Sequence, residues 1–337
     1  MPSREATLDP WLDESTGPLA AAQTCLEDYS PCTCSMSTTE GFLVILCNDV
    51  PSFEAVKSVF QRTTTQVIRA FAFTVPLSEI NNPVPANLLS GKSAQLIDIR
   101  CPNMGTKLTI DPDAFNSSKN YTGYVRIFGC DHSYLDYTFL SDFNNLTELW
   151  LSSSRNITQW SSLPALPSLL TFSVIASNDL EDLRNLPFHL LPVLNYLYIS
   201  YCPNFQHMPI IPTVTMLTID TCPLFKQWDV VGQMDKLYYF SLIGLNNQSI
   251  HEALNAFVSS PLVSQLLSLT LHLITDMTHV PPQIKSFSKL QDLLMSYNPI
   301  TTARRGSFTF STPQLRLLSF LSNNLSTIEP SAFEGEL

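Results

Sequence analysis

The chain has 337 residues, of which 45% are hydrophobic, enough for a substantial folded core. Its 18 Lys and Arg against 29 Asp and Glu give a net charge of −11, which argues against nucleic acid or an anionic membrane as a partner, because both need clustered basic side chains. The ten Gly residues have none of the spacings of a dinucleotide fingerprint, a phosphate loop or a hydrolase nucleophile elbow, so none of these enzyme sites has support.

The first 24 residues contain no apolar segment of signal-peptide length, because their longest apolar run covers only residues 19–22. We predict that residues 1–24 form a disordered N-terminal segment. No stretch of about 18 apolar residues occurs in the chain, so no transmembrane helix is predicted. Since the next features indicate secretion, we expect that the natural start of the protein is missing or mispredicted.

Four of the eight Cys residues, Cys25, Cys32, Cys34 and Cys47, lie within 23 residues and predict a disulfide-bonded N-terminal cap over residues 25–62. Four Cys residues allow three pairings and the spacing does not choose among them, although a Cys32–Cys34 bridge across one residue is sterically poor. The alternative is a zinc site, which the spacing disfavours because paired C-x2-C knuckles are missing.

Two helices have recognisable start signals. Ser52 is a predicted N-cap ahead of a segment with apolar residues on one face. Further along the chain, Ser249 and Glu252 form a predicted capping box before residues 253–258.

The remainder of the chain, residues 63–337, repeats a pattern of leucine-type residues. The most regular copies begin at Leu290 and Leu315 and fit LxxLxLxxNxL. About eleven copies align, with intervals of 20 to 29 residues, which is the spacing of leucine-rich repeats. The fourth positions of these copies are residues 71, 96, 125, 149, 172, 197, 217, 240, 269, 293 and 318.

This periodicity predicts an α/β leucine-rich-repeat solenoid. Each copy contributes one short strand to a parallel sheet on the concave face, and short helices and turns cover the convex face. The copy at residue 96 is distorted, because its register directs Asp98 into the core, where a charge is costly. We therefore expect a bulge or a shifted register there.

The ninth position of a regular copy is Asn, whose amide satisfies buried backbone groups, but Cys130, Cys202 and Cys222 replace it in three copies. Cys202 and Cys222 belong to adjacent repeats, at a spacing that allows a disulfide. Two buried thiols that act as small apolar fillers are an equal alternative. The distorted copy disfavours a Cys101–Cys130 bridge relative to the Cys202–Cys222 pairing.

Between the inward residues, the strands carry outward-facing aromatic side chains with little charge, a composition typical of protein interfaces. The alternative is that Tyr is simply common in strands. We predict a binding face for a protein partner at Trp150, Tyr196, Tyr198, Tyr201, Tyr239, His272 and Tyr297, with Met216 and Asp220 among them.

Six N-x-S/T sequons add to the cysteine cluster in favour of a secreted, glycosylated protein with an extracellular location. The predicted glycosylation sites are Asn116, Asn120, Asn145, Asn156, Asn247 and Asn324.

Catalytic patterns are absent from the sequence. None of the six His residues belongs to an H-E-x-x-H motif, and the isolated polar residues have solvated surface positions as the simplest explanation. We therefore expect no catalytic, cofactor-binding or metal-binding residues, and a protein that is not an enzyme.

The chain stops at Leu337, the first position of a twelfth copy, without a polar capping repeat or a second Cys cluster. A stacked repeat array needs such a cap to cover its last apolar layer. We expect that a C-terminal cap is missing, which leaves Leu318, Phe320, Leu325, Ile328 and Phe333 as an exposed apolar edge.

The cap segment at residues 25–34, CLEDYSPCTC, is followed by Leu46-Cys47 and a helix that ends at Val59-Phe60. This arrangement resembles the cap of a family of secreted arthropod leucine-rich-repeat proteins, which includes the larger, non-catalytic subunit of the Oplophorus-type luciferase. Repeat phrases within residues 80–91, 110–115 and 328–333 look similar to that family as well.

The resemblance implies a secreted repeat protein without catalytic activity, either the non-catalytic subunit of a complex or a binding protein. It provides no catalytic residue. It also implies cap disulfides Cys25–Cys34 and Cys32–Cys47. The sequence departs from the family by its lack of a signal peptide.

Three functions are therefore under consideration. The first is a secreted repeat protein that binds a protein through its concave face. The second is the ectodomain of a receptor or adhesion protein whose membrane anchor is missing from the chain. The third, which has the least support, is a cofactor-independent enzyme.

Overall fold

The computed structural model describes residues 25–36, 42–157, 160–308 and 315–333, so the predicted disordered segment 1–24 lies outside the described residues. Over these ranges the chain forms seventeen strands. Their bounds are β1 Thr33–Met36, β2 Leu43–Cys47, β3 Val67–Thr74, β4 Ser93–Arg100, β5 Thr106–Lys107, β6 Tyr124–Phe128, β7 Cys130–Asp131, β8 Glu148–Ser152, β9 Thr171–Ile175, β10 Tyr196–Ser200, β11 Met216–Asp220, β12 Tyr239–Ile243, β13 Ser268–His272, β14 Asp292–Ser296, β15 Thr302–Ala303, β16 Leu317–Ser319 and β17 Thr327–Ile328.

In the same ranges, three α-helices accompany the strands: α1 Phe53–Arg62, α2 Trp228–Gly232 and α3 Asn247–Val258. Short 3-10 turns cover Leu77–Glu79, Asn116–Ser118, Tyr137–Leu140, Phe188–Leu190, Pro261–Ser264 and Pro282–Ser286. Within the described ranges, no helix has the length and apolar character needed to cross a lipid bilayer.

Thirteen strands form one sheet in the order β1-β2-β3-β4-β6-β8-β9-β10-β11-β12-β13-β14-β16. β1 pairs with β2 in antiparallel orientation, and all later neighbours pair in parallel. The short strands β5–β7 and β15–β17 form two further parallel pairs. The molecule is therefore a large, mostly parallel sheet with few helices. The sheet contains β1 and β2 of the cap in addition to the eleven predicted strands.

The predicted register of the repeats agrees with the pairing of the strands. Leu149, Phe172, Leu197 and Leu217 align across neighbouring strands and are buried. A run of such residues, stacked from strand to strand, buries an apolar layer that a single repeat is too small to bury by itself.

The copy at residue 96 is the exception, and of the two distortions expected there, a bulge or a shifted register, the structure has the shifted register. Ile97, not Leu96, aligns with Phe71 and Val125 and is buried. A one-residue shift moves every side chain of a strand to the other face of the sheet. Asp98 consequently points away from the core rather than into it.

The helices pack against the inner face of the sheet through aromatic pairs. Phe60 of α1 meets Phe71 of β3 edge to face at 5.2 Å between ring centroids, and Phe257 of α3 meets Phe240 of β12 at 5.1 Å. Such pairs add about 1 kcal/mol to the energy of burial. The core therefore lies between the sheet and the segments that return the chain from one strand to the next.

Ser52 caps α1 as predicted, since its Oγ accepts a hydrogen bond from the backbone N–H of Ala55 at 3.1 Å. The cap predicted for α3 was wrong by one turn. Asn246 is the N-cap, and its Oδ1 accepts from the backbone N–H of Ser249 at 2.8 Å. The helix therefore begins at Asn247, and Ser249 lies inside its first turn.

A column of left-handed residues follows the strands. From Gly129 to Leu273, each backbone N–H in the column donates to the carbonyl of the last residue of the next strand, as Tyr201 does to Asp220 at 2.9 Å, and the N–H of Tyr297 donates to the carbonyl of Leu321. The column continues the backbone pairing beyond the sheet and turns the chain inward. Its members are Gly129, Ser153, Ala176, Tyr201, Thr221, Gly244, Leu273, Tyr297 and Ser322.

The residue that follows each member of this column lies at the inner bend, where several of these side chains form hydrogen bonds with backbone groups. The Nδ2 of Asn298 donates to the carbonyl of Leu271 at 3.0 Å, and its Oδ1 accepts from the N–H of Ile274 at 2.8 Å. Where Cys replaces Asn, a thiol donates instead: Cys202 Sγ lies 3.3 Å from the carbonyl of Ser200, and Cys222 Sγ lies 3.2 Å from that of Asp220.

Disulfides join Cys25 to Cys34 and Cys32 to Cys47, the two pairings that the resemblance implies. A third disulfide joins Cys101 to Cys130. Such bridges are typical of proteins that fold in an oxidising compartment.

Cys202 and Cys222 are free and buried, which corrects their assignment as disulfide residues. The hydrogen bond with Cys202, followed by burial, raises the pKa of the Cys222 thiol far above its usual value, so that thiol stays protonated. The structure thus reverses the expected order of the two pairings. Because Ile97 sets the register, Cys101 aligns with Gly129 and lies diagonally to Cys130, whereas Cys202 and Cys222 occupy the same position in successive repeats.

The last described strands are less well covered. Ile328 and Phe333 of the predicted apolar edge are exposed, whereas Leu318, Phe320 and Leu325 are partly buried and pack against the core. Phe308 stacks on Phe333 at 4.8 Å between ring centroids.

A neutral histidine lies in the core below β7. His132 is 1% exposed, and its Nδ1 is 2.8 Å from the hydroxyl of Tyr137. Burial lowers the pKa of His132 to about 4, and the charge of Asp131 offsets part of this effect. The fold therefore holds an imidazole that resists protonation until strongly acidic pH.

We expect Leu293→Asp to lower the free energy of unfolding by at least about 4 kcal/mol, because Leu293 is fully buried and an unpaired charge would enter the core. Leu294→Asp is the matched control: the same residue type, one position later, on the other face of the sheet. It should cost about 1 kcal/mol or less. Thermal unfolding followed by circular dichroism measures both, and equal losses would contradict the register.

His132 should make the protein acid-sensitive. Its pKa of about 4 lies below the ordinary 6.5, so the unfolded chain takes up the proton first as the pH falls. The contribution of His132 to the free energy of unfolding is fully present above pH 7 and is lost as the pH falls from about 6.5 to 4. At pH 4.5 the free energy of unfolding should be lower by about 2–3 kcal/mol.

The variant His132→Asn places an amide close to the position of Nδ1 and keeps a partner for Tyr137. Urea unfolding at pH 7 and pH 4.5 should show a smaller loss for the variant than for the wild type. The same loss in both proteins would exclude His132 as the source.

Candidate protein-binding face

Over the described residues, one face of the sheet is free of helices. We call it the open face: the side chains that alternate with the buried ones along the parallel strands β3 to β14. On β10, for example, Leu197 and Ile199 are buried, whereas the alternating residues Tyr196 and Tyr198 are partly accessible. The alternation arises from the pleat of a strand, which directs successive side chains to opposite faces.

The N-terminal third of the open face is charged. Arg100 forms an ion pair with Asp98 at 2.7 Å, so the acidic residue predicted inside the core is neutralised on the open face. The Arg126 guanidinium lies 4.6 Å from the ring centroid of Trp150. Trp150 Nε1 also donates to Glu148 at 3.1 Å, so its indole is held by an acidic and a basic neighbour.

The centre of the open face is rich in tyrosine. The rings of Tyr196 and Tyr198 meet edge to face at 6.1 Å. The Tyr196 hydroxyl lies 3.1 Å from Thr218 Oγ1 on the neighbouring strand. Beyond that strand, Tyr239 aligns with Met216. Burial raises the pKa of both Tyr196 and Tyr198, so these phenols remain neutral.

A buried carboxylate lies beside these tyrosines. Asp220, at the end of β11, is 5% exposed. Its Oδ2 accepts a hydrogen bond from Ser200 Oγ at 2.6 Å, and its Oδ1 accepts from Thr221 Oγ1 at 2.7 Å. The sequence placed Asp220 among the outward-facing residues but did not indicate its hydrogen bonds, because Ser200 comes next to it solely through the pairing of β10 with β11.

Gly244 shapes this corner. Its φ of +63° is left-handed, and a Cβ at this position would collide with the Oγ1 of Thr221 and lie 3.5 Å from Asp220 Oδ1. The absence of a side chain leaves room for Thr221 to turn toward Asp220.

Tyr201 and Tyr297 belong to the left-handed column rather than to a strand. Their prediction as outward-facing strand residues is wrong by one position. Their side chains form the rim of the open face and are 41% and 51% exposed. Tyr297 meets His272 edge to face at 5.1 Å between ring centroids. Burial lowers the pKa of His272, although the charge of Asp220 opposes the shift.

The predicted partner-binding residues thus fall into three groups. Tyr196, Tyr198 and Tyr239 lie together at the centre, with Tyr201 at the adjoining rim. Trp150 lies in the charged third, separated from the centre by β9. His272 and Tyr297 lie on the other side of the centre.

The Asn residues of the six sequons lie in loops, at the start of the 3-10 turn Asn116–Ser118 and at the start of α3, outside the strands of the open face. All six Asn residues are exposed or partly exposed. Asn156 Nδ2, the atom that would carry a glycan, donates to Asp131 Oδ1 at 2.8 Å. Glycans at these positions would leave the tyrosine-rich centre uncovered.

Across the ranges that the structure describes, no group of three or more His, Cys, Asp or Glu is placed to hold a metal ion. A cavity of about 230 Å³ lies at the N-terminal end, lined by the cap, β3 and the loop before β6. Its walls include Phe42, Val67, Arg69 and Tyr121. Sequence patterns missed it because these residues are far apart in the chain.

Neither a known protein family nor a curated protein matches the sequence. Among solved structures, a chain in the structure of the Toll–Spatzle complex, described there as a molecular hub in Drosophila development and innate immunity, is similar with a TM-score of 0.61 at 14% identity. The fold is leucine-rich-repeat-like. The match covers 91% of this chain but 40% of that chain, and at this identity it shows the fold alone.

Gly244→Ala should destabilise the protein by about 2 kcal/mol, because it adds a collision with Thr221 to the strain of a left-handed Ala. Gly91→Ala is the matched control, since Gly91 has a φ of +88° but no atom within 4 Å of the place that a Cβ would occupy. It should cost only the strain, about 1 kcal/mol. When Thr221 is replaced by Ala, Gly244→Ala and Gly91→Ala should lower the free energy of unfolding, measured with urea, by similar amounts. A persistent difference would contradict the contact.

Proposed function

We propose that this chain is an extracellular, non-enzymatic leucine-rich-repeat protein, folded as a solenoid, that binds a protein partner through the open face on its concave side. The observation that carries the proposal is the tyrosine-rich centre formed by Tyr196, Tyr198 and Tyr239. Tyrosine is enriched at binding hot spots because its ring buries a large area while its hydroxyl keeps a polar contact.

Extracellular localisation has two supports. Three disulfides form among the described residues, and such bridges persist in oxidising compartments. Six accessible sequons lie away from the open face, so glycosylation is compatible with a partner on that face.

The cap resemblance supports a more specific role as the non-catalytic subunit of a complex, of the kind found with the Oplophorus-type luciferase. An ectodomain of a receptor is the second candidate, favoured by the likeness to a chain of the Toll–Spatzle complex that is much longer than this one. Transcripts that extend past residue 337 distinguish the two, because only the receptor would continue into an apolar segment of about 20 residues.

A glycan placed on the open face should block partner binding. Met216→Asn creates an N-x-T sequon with Thr218, between Tyr196 and Tyr239 on the neighbouring strands. The matched control Met216→Gln alters the same side chain without creating a sequon.

Each protein is secreted from insect cells with a benzophenone amino acid at the exposed rim residue Tyr201 and is photo-crosslinked in extracellular fluid of the source organism. We expect one discrete adduct with the wild type and with Met216→Gln, and at least a ten-fold loss with the glycosylated variant. An adduct that is indifferent to the glycan, or no adduct with the wild type, contradicts the proposal.

A further inference from the structure

Asp220 is a buried carboxylate for which no described Lys or Arg forms an ion pair. Ion pairs between described residues include Arg100–Asp98, Lys119–Asp113 and Arg184–Asp182. Asp220 is instead held by two neutral hydroxyls, those of Ser200 and Thr221. A buried charge is costly unless it is paired, and each carboxylate oxygen has a lone pair left after one hydrogen bond.

The surroundings of Asp220 suit a cation. Asp220 aligns with Ser200 on β10, two residues after Tyr198, and the rings of Tyr198 and Tyr196 meet edge to face at 6.1 Å. Burial raises the pKa of Tyr198 and the charge of Asp220 adds to that rise. The negative faces of such rings attract ammonium and guanidinium groups, most strongly where water is excluded. Asp220 therefore lies at the base of an aromatic surface that opens on the partner side.

The distribution of charge over the open face also favours a cation beside Asp220. The open-face cations Arg100 and Arg126 lie in the N-terminal third, on β4 and β6, where Asp98 and Glu148 accompany them. At the centre, Asp220 is the acidic residue on β11 and β10 carries none. With a net charge of −11, the chain attracts basic partners over long distances.

We propose that the centre of the open face is an arginine-binding site, in which Asp220 pairs with the guanidinium of an Arg from a basic segment of the protein partner while Tyr198 and its neighbouring tyrosines stack against that side chain. Arg fits better than Lys, because a planar guanidinium stacks on rings and presents paired donors to a carboxylate. This inference rests on the proposed function and specifies the chemistry of the partner.

The test uses N-acetyl-arginine N-methylamide as the probe and its citrulline analogue as a neutral probe of the same shape. Titrations followed by NMR chemical shifts should show millimolar binding of the arginine probe to the full chain, and at least ten-fold weaker binding of the citrulline probe. Equal binding of the two probes would overturn the proposal.

Asp220→Asn keeps an oxygen that can accept a hydrogen bond from one hydroxyl but removes the negative charge. It should weaken the binding of the arginine probe at least ten-fold. Asp229→Asn is the matched control, since it removes the same charge from an exposed residue of α2, and it should leave binding unchanged. Thermal midpoints check that both variants fold. If both variants weaken probe binding equally, the net charge of the protein explains the binding, and the proposal of a specific site at Asp220 is refuted.

Calcium is the competing occupant. If Ca²⁺ raises the thermal midpoint of the wild type but not of Asp220→Asn, the site binds a metal ion and the proposal fails. The crosslinking experiment separates this outcome from a failure of the proposed function: a partner that is blocked by the glycan at Met216→Asn but captured normally by Asp220→Asn refutes the arginine site alone. Loss of capture with Asp220→Asn and not with Asp229→Asn supports it.

Discussion

The structure depends on the in-register stacking of one parallel strand upon the next. No single repeat has enough apolar surface to form a core, so each strand is stable only because its neighbours bury the same two inward positions. The pairs Leu149 and Leu151, then Phe172 and Val174, then Leu197 and Ile199 show this arrangement, and all are buried. The return segments complete the enclosure, as when Phe257 of α3 meets Phe240 of β12.

Stacking also constrains the backbone where the strands end. A left-handed residue after each of the strands β6 and β8 to β14 extends the backbone hydrogen bonding beyond the sheet. In several repeats the next residue donates from its side chain to a carbonyl at the bend, as Asn298 and Cys222 do. These columns stabilise the inner bend without any contribution from the open face. Side chains on the open face are consequently available for binding.

The open face departs from the rest of the molecule at its centre. In its N-terminal third, the buried carboxylate of Asp98 has a cation beside it, because Arg100 forms an ion pair with it. Around Asp220, the alignment of β10 with β11 and the small size of Gly244 produce a carboxylate that has hydrogen bonds but, among the described residues, no countercharge. Its negative charge and the neutral tyrosines beside it form a surface suited to a positively charged partner.

The sequence by itself determined the spacing of the strands, the inward positions of most repeats, the N-cap at Ser52 and the aromatic character of the outward positions. These features are local: period-two alternation and side-chain capping act over a few residues. Tertiary structure decided between Leu96 and Ile97, because both are apolar and only the neighbours Phe71 and Val125 show which one faces inward. That choice placed Cys101 diagonally to Cys130 and directed both Asp98 and Arg100 to the open face. The surroundings of Asp220 were also undetermined by the sequence, because Ser200 and Gly244 lie about twenty residues away along the chain and reach it only when the strands pair.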